Sequence, residues 1–204
     1  MPGFEVRSGR SAELFPVFLK LEGRPVLLVG GGAVARGKLA ELLRAGAHVT
    51  VVAPEVRAEI AASDATVVTR RFLPADVDGK WFVVAAADPE VNREVANAAA
   101  ERRVFVNAVD DADRASAYTA GVFRRGGVTI AVSTEGRAPA LAGLLREGLE
   151  AVVPDDIESW VATAGELRQA QRAAGVPMTE RRPRLLAALN RLYDAKSGEA
   201  VTGT

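Results

Sequence analysis

Cysteine is absent from the 204-residue sequence, and histidine occurs only once, at His48. The absence of cysteine excludes disulfide bonds, catalysis by a thiolate and every metal site that depends on cysteine ligands. A conventional zinc or iron site would have to supplement a single imidazole entirely with carboxylates, which is uncommon. The sequence therefore predicts no protein-held metal.

A net charge is also missing, since Lys and Arg together number 26 and Asp and Glu together number 26. No overall field would attract nucleic acid or an anionic membrane, so any anion site must come from local clustering. Residues 1–10 are polar, and no apolar run is long enough to cross a bilayer. We therefore expect a cytoplasmic protein that binds neither nucleic acid nor membrane.

Apolar residues make up 49% of the chain, as in an ordinary globular protein. Short apolar runs typical of buried parallel strands alternate with segments of helical periodicity, one following Val34 and another following Pro89. The predicted strands cover residues 15–21, 26–29, 49–52, 66–69, 81–85 and 104–109, the first of them at an edge. This alternation predicts an α/β fold with a doubly wound parallel sheet.

Three glycines stand between the strand at 26–29 and the next helix. The run Gly30, Gly31, Gly32, Ala33, Val34 and Ala35 fits the pattern G-x-G-x-x-A of a Rossmann-like nucleotide site. In such a site the first glycine permits a tight turn, the second lets the backbone approach a pyrophosphate, and the helix N-terminus attracts the phosphates. We expect residues 30–34 to hold NAD; the alternative is a glycine-rich turn without a ligand.

The acidic residue that usually binds the adenine ribose ends the second strand of such a fold. Here that strand is followed by Ala53, Pro54 and Glu55. We expect Pro54 and Glu55 to contact NAD, with Glu55 as the nearest carboxylate. Arg57 could instead meet a 2′-phosphate, so the choice between NAD and NADP stays open, and Glu55 could also be a solvated residue at a helix start.

The pattern changes after Asp110. Residues 117–123 and 128–133 are predicted to form a hairpin around a turn at 124–127, and leucine-rich helices follow from Pro139. Their apolar stripes need a partner surface, which favours a homodimer. We expect an NAD-binding Rossmann domain at 1–112, a small β-rich dimerisation region at 113–146 and a helical C-terminal domain at 147–204.

Four blocks of sequence agree in order and spacing over roughly residues 14–170: LFPVFL at 14–19, VGGGAVARGK at 29–38, NAVDD at 107–111 and STEGRAPALA at 133–142. Together they resemble the precorrin-2 dehydrogenases and the related N-terminal module of siroheme synthases. The resemblance implies an oxidoreductase that converts precorrin-2 to sirohydrochlorin with NAD as hydride acceptor, in siroheme or cobalamin biosynthesis.

The resemblance also implies roles for individual residues. Asp110 corresponds to the aspartate implicated in the chemistry, and a carboxylate just past a strand could accept the proton lost as hydride leaves. Ser133 and Thr134 correspond to the loop that lines the tetrapyrrole pocket, within the region 113–146. The arginines expected to bind the carboxylates of the substrate are Arg124, Arg137 and Arg146.

Three alternatives stay open at this point. A bifunctional enzyme would also insert ferrous iron into sirohydrochlorin, because Asp110 could relieve the macrocycle of protons in either reaction. A non-catalytic sensor would use the Rossmann domain to control a partner through its helical tail. Asp110 itself could be a structural residue that caps the turn after the fifth strand.

Overall fold

The computed structural model of the protein describes residues 13–199, and the side chains of residues 13–191. Its elements in chain order are β1 (Pro25–Val29), α1 (Ala33–Arg44), β2 (His48–Ala53), α2 (Ala58–Ala61), β3 (Thr66–Thr69), a short 3₁₀ helix (Pro74–Val77), β4 (Phe82–Ala85), α3 (Pro89–Glu101), β5 (Phe105–Ala108), β6 (Gly121–Arg125), β7 (Val128–Val132), α4 (Pro139–Val152), α5 (Ile157–Ala173) and α6 (Met178–Glu199). They form two compact units, of which the first ends at Thr119 and the second begins at Ala120.

The first unit is built on a five-stranded parallel sheet of order β3-β2-β1-β4-β5. Successive side chains of a strand point to opposite faces, so β1 supplies two cores. Leu28 packs on one face with Leu39 of α1, and Leu27 packs on the other with Val95 of α3. Both β1 leucines are fully buried, and each contributes about 1.5–3 kcal/mol. Helices on both faces confirm the predicted doubly wound fold.

The strand predicted at residues 15–21 is wrong. Between residue 13 and the start of β1 no strand forms, and Phe15 and Phe18 are exposed. The sheet ends at β3 and β5, and neither of these edge strands pairs with this apolar segment. An alternating pattern indicates a strand only where the backbone finds a pairing partner. Leu21, which is buried at the turn before β1, is the residue that ties this segment to the core.

The second unit consists of the β6–β7 hairpin and three helices. The hairpin is confirmed, but its turn is shorter than predicted because Arg124 and Arg125 pair with Thr129 and Val128 inside the ladder. Gly126 and Gly127 alone form the turn, with φ of 50° and 81°. Two consecutive residues of positive φ give the turn whose twist matches a hairpin, so no longer loop is needed.

The helices of the second unit pack beside this hairpin. Helices α4 and α5 both contact it, and α5 also packs against α6. The three-part division predicted from the sequence stays a prediction, and residues 1–12 and 200–204, which it includes, lie outside the described residues.

Candidate functional site

The sheet order places a switch point between β1 and β4, since the chain winds outward in opposite directions on either side of it. In open α/β sheets, ligands bind at the carboxyl ends of the strands at such a point. The loops after β1, β2, β4 and β5 all lie at that edge because the strands are parallel. The sequence-predicted residues 30–32, Pro54, Glu55 and Asp110 belong to these loops, and residues 33 and 34 begin α1 directly after the first loop.

Gly30 and Gly31 let three of these loops approach backbone to backbone. Gly30 has a φ of 128°, and a Cβ on it would lie 2.1 Å from the carbonyl oxygen of Ala86. A Cβ on Gly31 would lie 1.8 Å from the carbonyl oxygen of Glu55. The amide of Arg57 donates a 3.0 Å hydrogen bond to the Gly31 carbonyl oxygen. Both glycines are therefore required by the fold itself.

Gly32 differs from its two neighbours. Its backbone is extended, with φ of −85° and ψ of −167°, which any residue adopts. Apart from its two chain neighbours, no atom of the described residues would lie within 4 Å of a Cβ built there. No contact within the described residues requires glycine at this position, so the open space beside it is available to a ligand.

The start of α1 provides hydrogen-bond donors next to this space. Gly32 is the N-cap but has no side chain to accept a bond, and the first turn contains no acidic residue. Within residues 13–199 the amides of Ala33 and Val34 donate to no protein acceptor. Unpaired amides at the positive end of a 12-residue helix favour a bound phosphate. The residues present therefore fit the pyrophosphate of a dinucleotide.

The loop after β2 brings charged residues to the same turn. Pro54 and Glu55 are exposed, and the Glu55 carboxylate has no partner among the described side chains. Beyond it, Glu59 lies 3.6 Å from a guanidinium nitrogen of Arg36 and 3.5 Å from one of Arg57. A hydrogen bond with its own backbone amide, together with the charges of Arg57 and Arg36, lowers the pKa of Glu59. Sequence reasoning missed Glu59 and Arg36, because they lie on two different helices, α2 and α1, that only the fold brings together.

Asp110 follows β5 and has an unusual backbone. Its φ is 59°. Asp110 is exposed, and its carboxylate makes no hydrogen bond or ion pair within the described structure. The capping role falls to the next residue instead, because Asp111 accepts a bond from the Arg114 amide at 3.3 Å and pairs with the Arg114 guanidinium at 3.0 Å. Asp110 therefore does not cap this turn, which was the structural alternative considered for it.

Asn92 connects the loops that follow β4 and β5, and sequence reasoning did not find it. Its side chain accepts from the Ala87 amide at 2.9 Å and donates to the Val109 carbonyl at 3.3 Å. The residue is buried although it is polar. The sequence could have indicated it, because Asn92 is a polar residue on the same face of α3 as Val95 and Ala96, where an apolar residue is expected.

In the second unit, the loop between β7 and α4 contains Ser133 and Thr134. The Thr134 hydroxyl accepts from the Ala138 amide at 3.1 Å, and the Ser133 hydroxyl accepts from the Glu135 amide at 3.1 Å. Arg137, which is largely exposed, forms a 2.8 Å ion pair with Glu135. The two hydroxyl groups thus fix the loop that leads into α4.

The predicted substrate arginines differ in how their charge is compensated. Arg146 forms ion pairs with Glu147 at 3.0 Å and with Glu150 at 2.7 Å. Arg124 is exposed on β6, and its guanidinium has no partner among the described side chains. Of Arg124, Arg137 and Arg146, only Arg124 therefore presents an uncompensated charge.

The described part of the chain has neither a metal-binding cluster nor a membrane-spanning helix. Residues 13–199 contain no group of three or more His, Cys, Asp or Glu residues arranged to hold a metal ion. None of the helices in that part of the chain combines the length and the apolar character needed to cross a membrane.

The strand order, the glycine turn and the open space at Gly32 define a dinucleotide-binding protein of the Rossmann class. Comparison with known families agrees, because residues 17–121 match the family described as putative NAD(P)-binding. The chain belongs to this family. Residues 125–151 also match the family described as sirohaem biosynthesis protein central.

Known relatives are siroheme synthases. Siroheme synthase 3 of Aeromonas hydrophila and siroheme synthase 1 of Aeromonas salmonicida are each 44% identical over 175 residues, and siroheme synthase 2 of Pectobacterium atrosepticum is 40% identical over 175 residues. Each alignment covers 83% of this chain. The chain spans only 37% to 38% of the length of these relatives.

A solved structure is similar over most of its length. SirC, a precorrin-2 dehydrogenase, aligns with a TM-score of 0.68 and 28% identity, covering 85% of this chain and 88% of that one. The resemblance identified from four blocks of sequence is confirmed by these comparisons.

Proposed function

We propose that the protein oxidises precorrin-2 to sirohydrochlorin with NAD as hydride acceptor. The observation that carries the proposal is a site at the switch point that combines open space beside Gly32 with an unpartnered carboxylate on Asp110. The names of the relatives and of the similar structure support the same activity.

The glycine turn and the start of α1 would bind the cofactor. The backbone amides of residues 32–34 face the pyrophosphate, and Pro54 and Glu55 lie at the adenosine end of the site, where Glu55 accepts hydrogen bonds from ribose hydroxyls. The bound oxidised nicotinamide supplies the hydride acceptor of the reaction.

Asp110 would act as the general base. Precorrin-2 loses two electrons and two hydrogens in this oxidation: one hydrogen leaves as hydride and the other as a proton. The exposed, unpaired carboxylate of Asp110 accepts that proton, and a positioned base typically accelerates such a step about 10²–10⁴-fold. Asn92 supports this base because it holds the Val109 carbonyl, one residue before it.

The second unit would contribute substrate contacts. The carboxylates around a tetrapyrrole ring need cationic partners, and Arg124 offers the free guanidinium. Arg137 and Arg146 can bind substrate only by sharing their charge with Glu135 and Glu150. Ser133 and Thr134 shape the loop beside Arg137, in the proposed dimerisation and substrate-pocket region at 113–146.

We also propose a homodimer. Helix α4 exposes an apolar stripe whose members recur at helical spacing: Leu141, Leu144, Leu145, Leu149 and Val152. Contiguous exposed apolar surface of this kind marks an interaction site. The cytoplasmic location predicted from the sequence stays a prediction.

Single-turnover NADH formation from precorrin-2 and NAD tests the activity directly. We expect the wild type to form NADH, and Asp110→Asn, which keeps the shape of the side chain, to bind both ligands but to react about 10²–10⁴-fold more slowly. Asp111→Asn is the matched control, because it removes an adjacent carboxylate that only caps the turn. Absence of NADH with the wild type would overturn the proposal.

Adding ferrous iron after that turnover examines the bifunctional alternative on the same sample. Formation of siroheme, followed by its absorption spectrum, would extend the activity to iron insertion. An unchanged sirohydrochlorin spectrum would limit the protein to dehydrogenation.

A further inference from the structure

The adenosine end of the site contains two arginines tied by their backbones to the glycine turn. The Arg36 amide donates to the Gly32 carbonyl at 3.0 Å, and the Arg57 amide donates to the Gly31 carbonyl at 3.0 Å. Both side chains are about half exposed, at 55% and 52%. An arginine near the end of the second strand is the usual partner of the 2′-phosphate that distinguishes NADP from NAD.

Both arginines are engaged by one carboxylate. Glu59 lies between them, and within the described side chains it is the only acidic group at ion-pair distance from either guanidinium. Its pKa is lowered, so it carries its negative charge throughout the neutral range. The unpartnered carboxylate of Glu55 adds a second negative charge at the end of β2.

We infer that Glu59 is a specificity-determining residue, which makes the site select NAD over NADP by occupying the two guanidinium groups that would otherwise bind a 2′-phosphate. The inference rests on the proposed function, since it assigns a preference to the same dinucleotide site. Two guanidinium groups facing two carboxylates leave no net positive charge for a phosphate, whereas Glu55 remains free to accept from the 2′-hydroxyl of NAD.

Removing the charge of Glu59 should release the arginines without touching the pyrophosphate site. We expect Glu59→Gln to tighten the binding of NADP and of adenosine 2′,5′-bisphosphate by about fivefold to tenfold, as expected for two solvent-exposed ion pairs. Binding of NAD and of adenosine 5′-monophosphate should change by less than about twofold, since neither carries the 2′-phosphate.

Calorimetric titration of the full chain with these four ligands tests the inference. Glu41→Gln is the matched control, because Glu41 is an exposed carboxylate of α1 that pairs with Lys38 at 3.8 Å instead of with either arginine. Adding Arg57→Ala to Glu59→Gln should remove most of the gain for NADP. A melting curve of each variant verifies that it is folded.

The outcomes separate this inference from the proposed function. If the wild type binds NAD but Glu59→Gln leaves the affinity for NADP unchanged, the inference alone is wrong. The same holds if the wild type already binds both dinucleotides equally. If the wild type binds neither NAD nor adenosine 5′-monophosphate, the proposed cofactor is wrong and the inference fails with it.

Discussion

Substitutions at Gly32 test whether glycine is required there for cofactor binding or for the stability of the fold. The backbone at Gly32 is extended, and apart from its chain neighbours a Cβ would meet no atom of the described residues, so the Cβ added by Gly32→Ala or Gly32→Val has room in the free protein. As an N-cap, alanine stabilises the fold less than glycine by roughly 0.5–1 kcal/mol. Alanine also lowers the conformational entropy of the unfolded chain, which stabilises the fold by about 0.4–1 kcal/mol. The two effects nearly cancel, so we expect the free energy of unfolding to change by less than about 1 kcal/mol.

The effect on the cofactor should be much larger. A side chain at Gly32 would fill the space next to the amides of Ala33 and Val34 and keep the pyrophosphate out of hydrogen-bond range. Losing two charge-assisted hydrogen bonds at about 1.5 kcal/mol each weakens binding by about 100-fold. Valine should bind NAD more weakly than alanine because its branched side chain fills more of the opening.

Calorimetric titration measures the affinity for NAD, and urea denaturation of the same preparation measures the free energy of unfolding. Gly31→Ala is the contrasting variant, because its Cβ would lie 1.8 Å from the Glu55 carbonyl oxygen and should destabilise the fold itself. Gly37→Ala is the control for NAD binding, since Gly37 has open space beside it within α1. Its free energy of unfolding should rise by about 1 kcal/mol while its affinity for NAD stays unchanged. Unchanged NAD affinity in a folded Gly32→Val protein would refute the reasoning.

Three further predictions concern assembly, pH and backbone strain. Light scattering should give about twice the monomer mass of 21.5 kDa, and Leu144→Glu, which places a charge in the exposed stripe of α4, should give a monomer. The Arg70 hydrogen bonds lower the pKa of Asp76, so the pair stabilises the fold above the unfolded-state pKa of about 4, and this contribution is lost as the pH falls through the lowered folded-state value. Urea denaturation should therefore find Asp76→Asn about 1 kcal/mol less stable at pH 7, with a smaller difference at pH 3. Asp110→Gly should raise the free energy of unfolding by up to about 1 kcal/mol, because glycine adopts a φ of 59° without strain, while precorrin-2 oxidation falls; a destabilised variant in urea would contradict this.

The first unit could be predicted largely from local pattern. Strands buried on both faces appear as continuous apolar runs, and each crossover helix shows its own periodicity, so the boundaries of β1, β2 and β3 fell within a residue of the structure. The glycine turn was recognisable because a strand precedes it and a helix follows. These signals lie within short stretches of chain.

Features that depend on distant segments were missed or mistaken. The apolar residues at 15–21 look like a strand, but neither edge strand of the sheet, β3 or β5, pairs with them. The cluster of Arg36, Arg57 and Glu59 exists because β1 and β2 are neighbours, which brings the loops after them together. The sequence motif also assigned the tight turn to Gly30 without revealing that Gly31 is equally constrained by the backbone of Glu55.

Asp110 combines an unusual backbone conformation with a side chain that has no partner among the described residues. A non-glycine residue at a φ of 59° costs about 1 kcal/mol, and proteins usually recover that cost by a local hydrogen bond of an Asp or Asn side chain. Here the carboxylate makes no such bond, while Asp111 beside it does the capping. Selection for stability would favour glycine or a bonded asparagine at this position. An aspartate that is strained, exposed and unpartnered at the carboxyl end of β5 therefore fits the proposed role of general base, and comparing Asp110→Asn with Asp111→Asn tests that role.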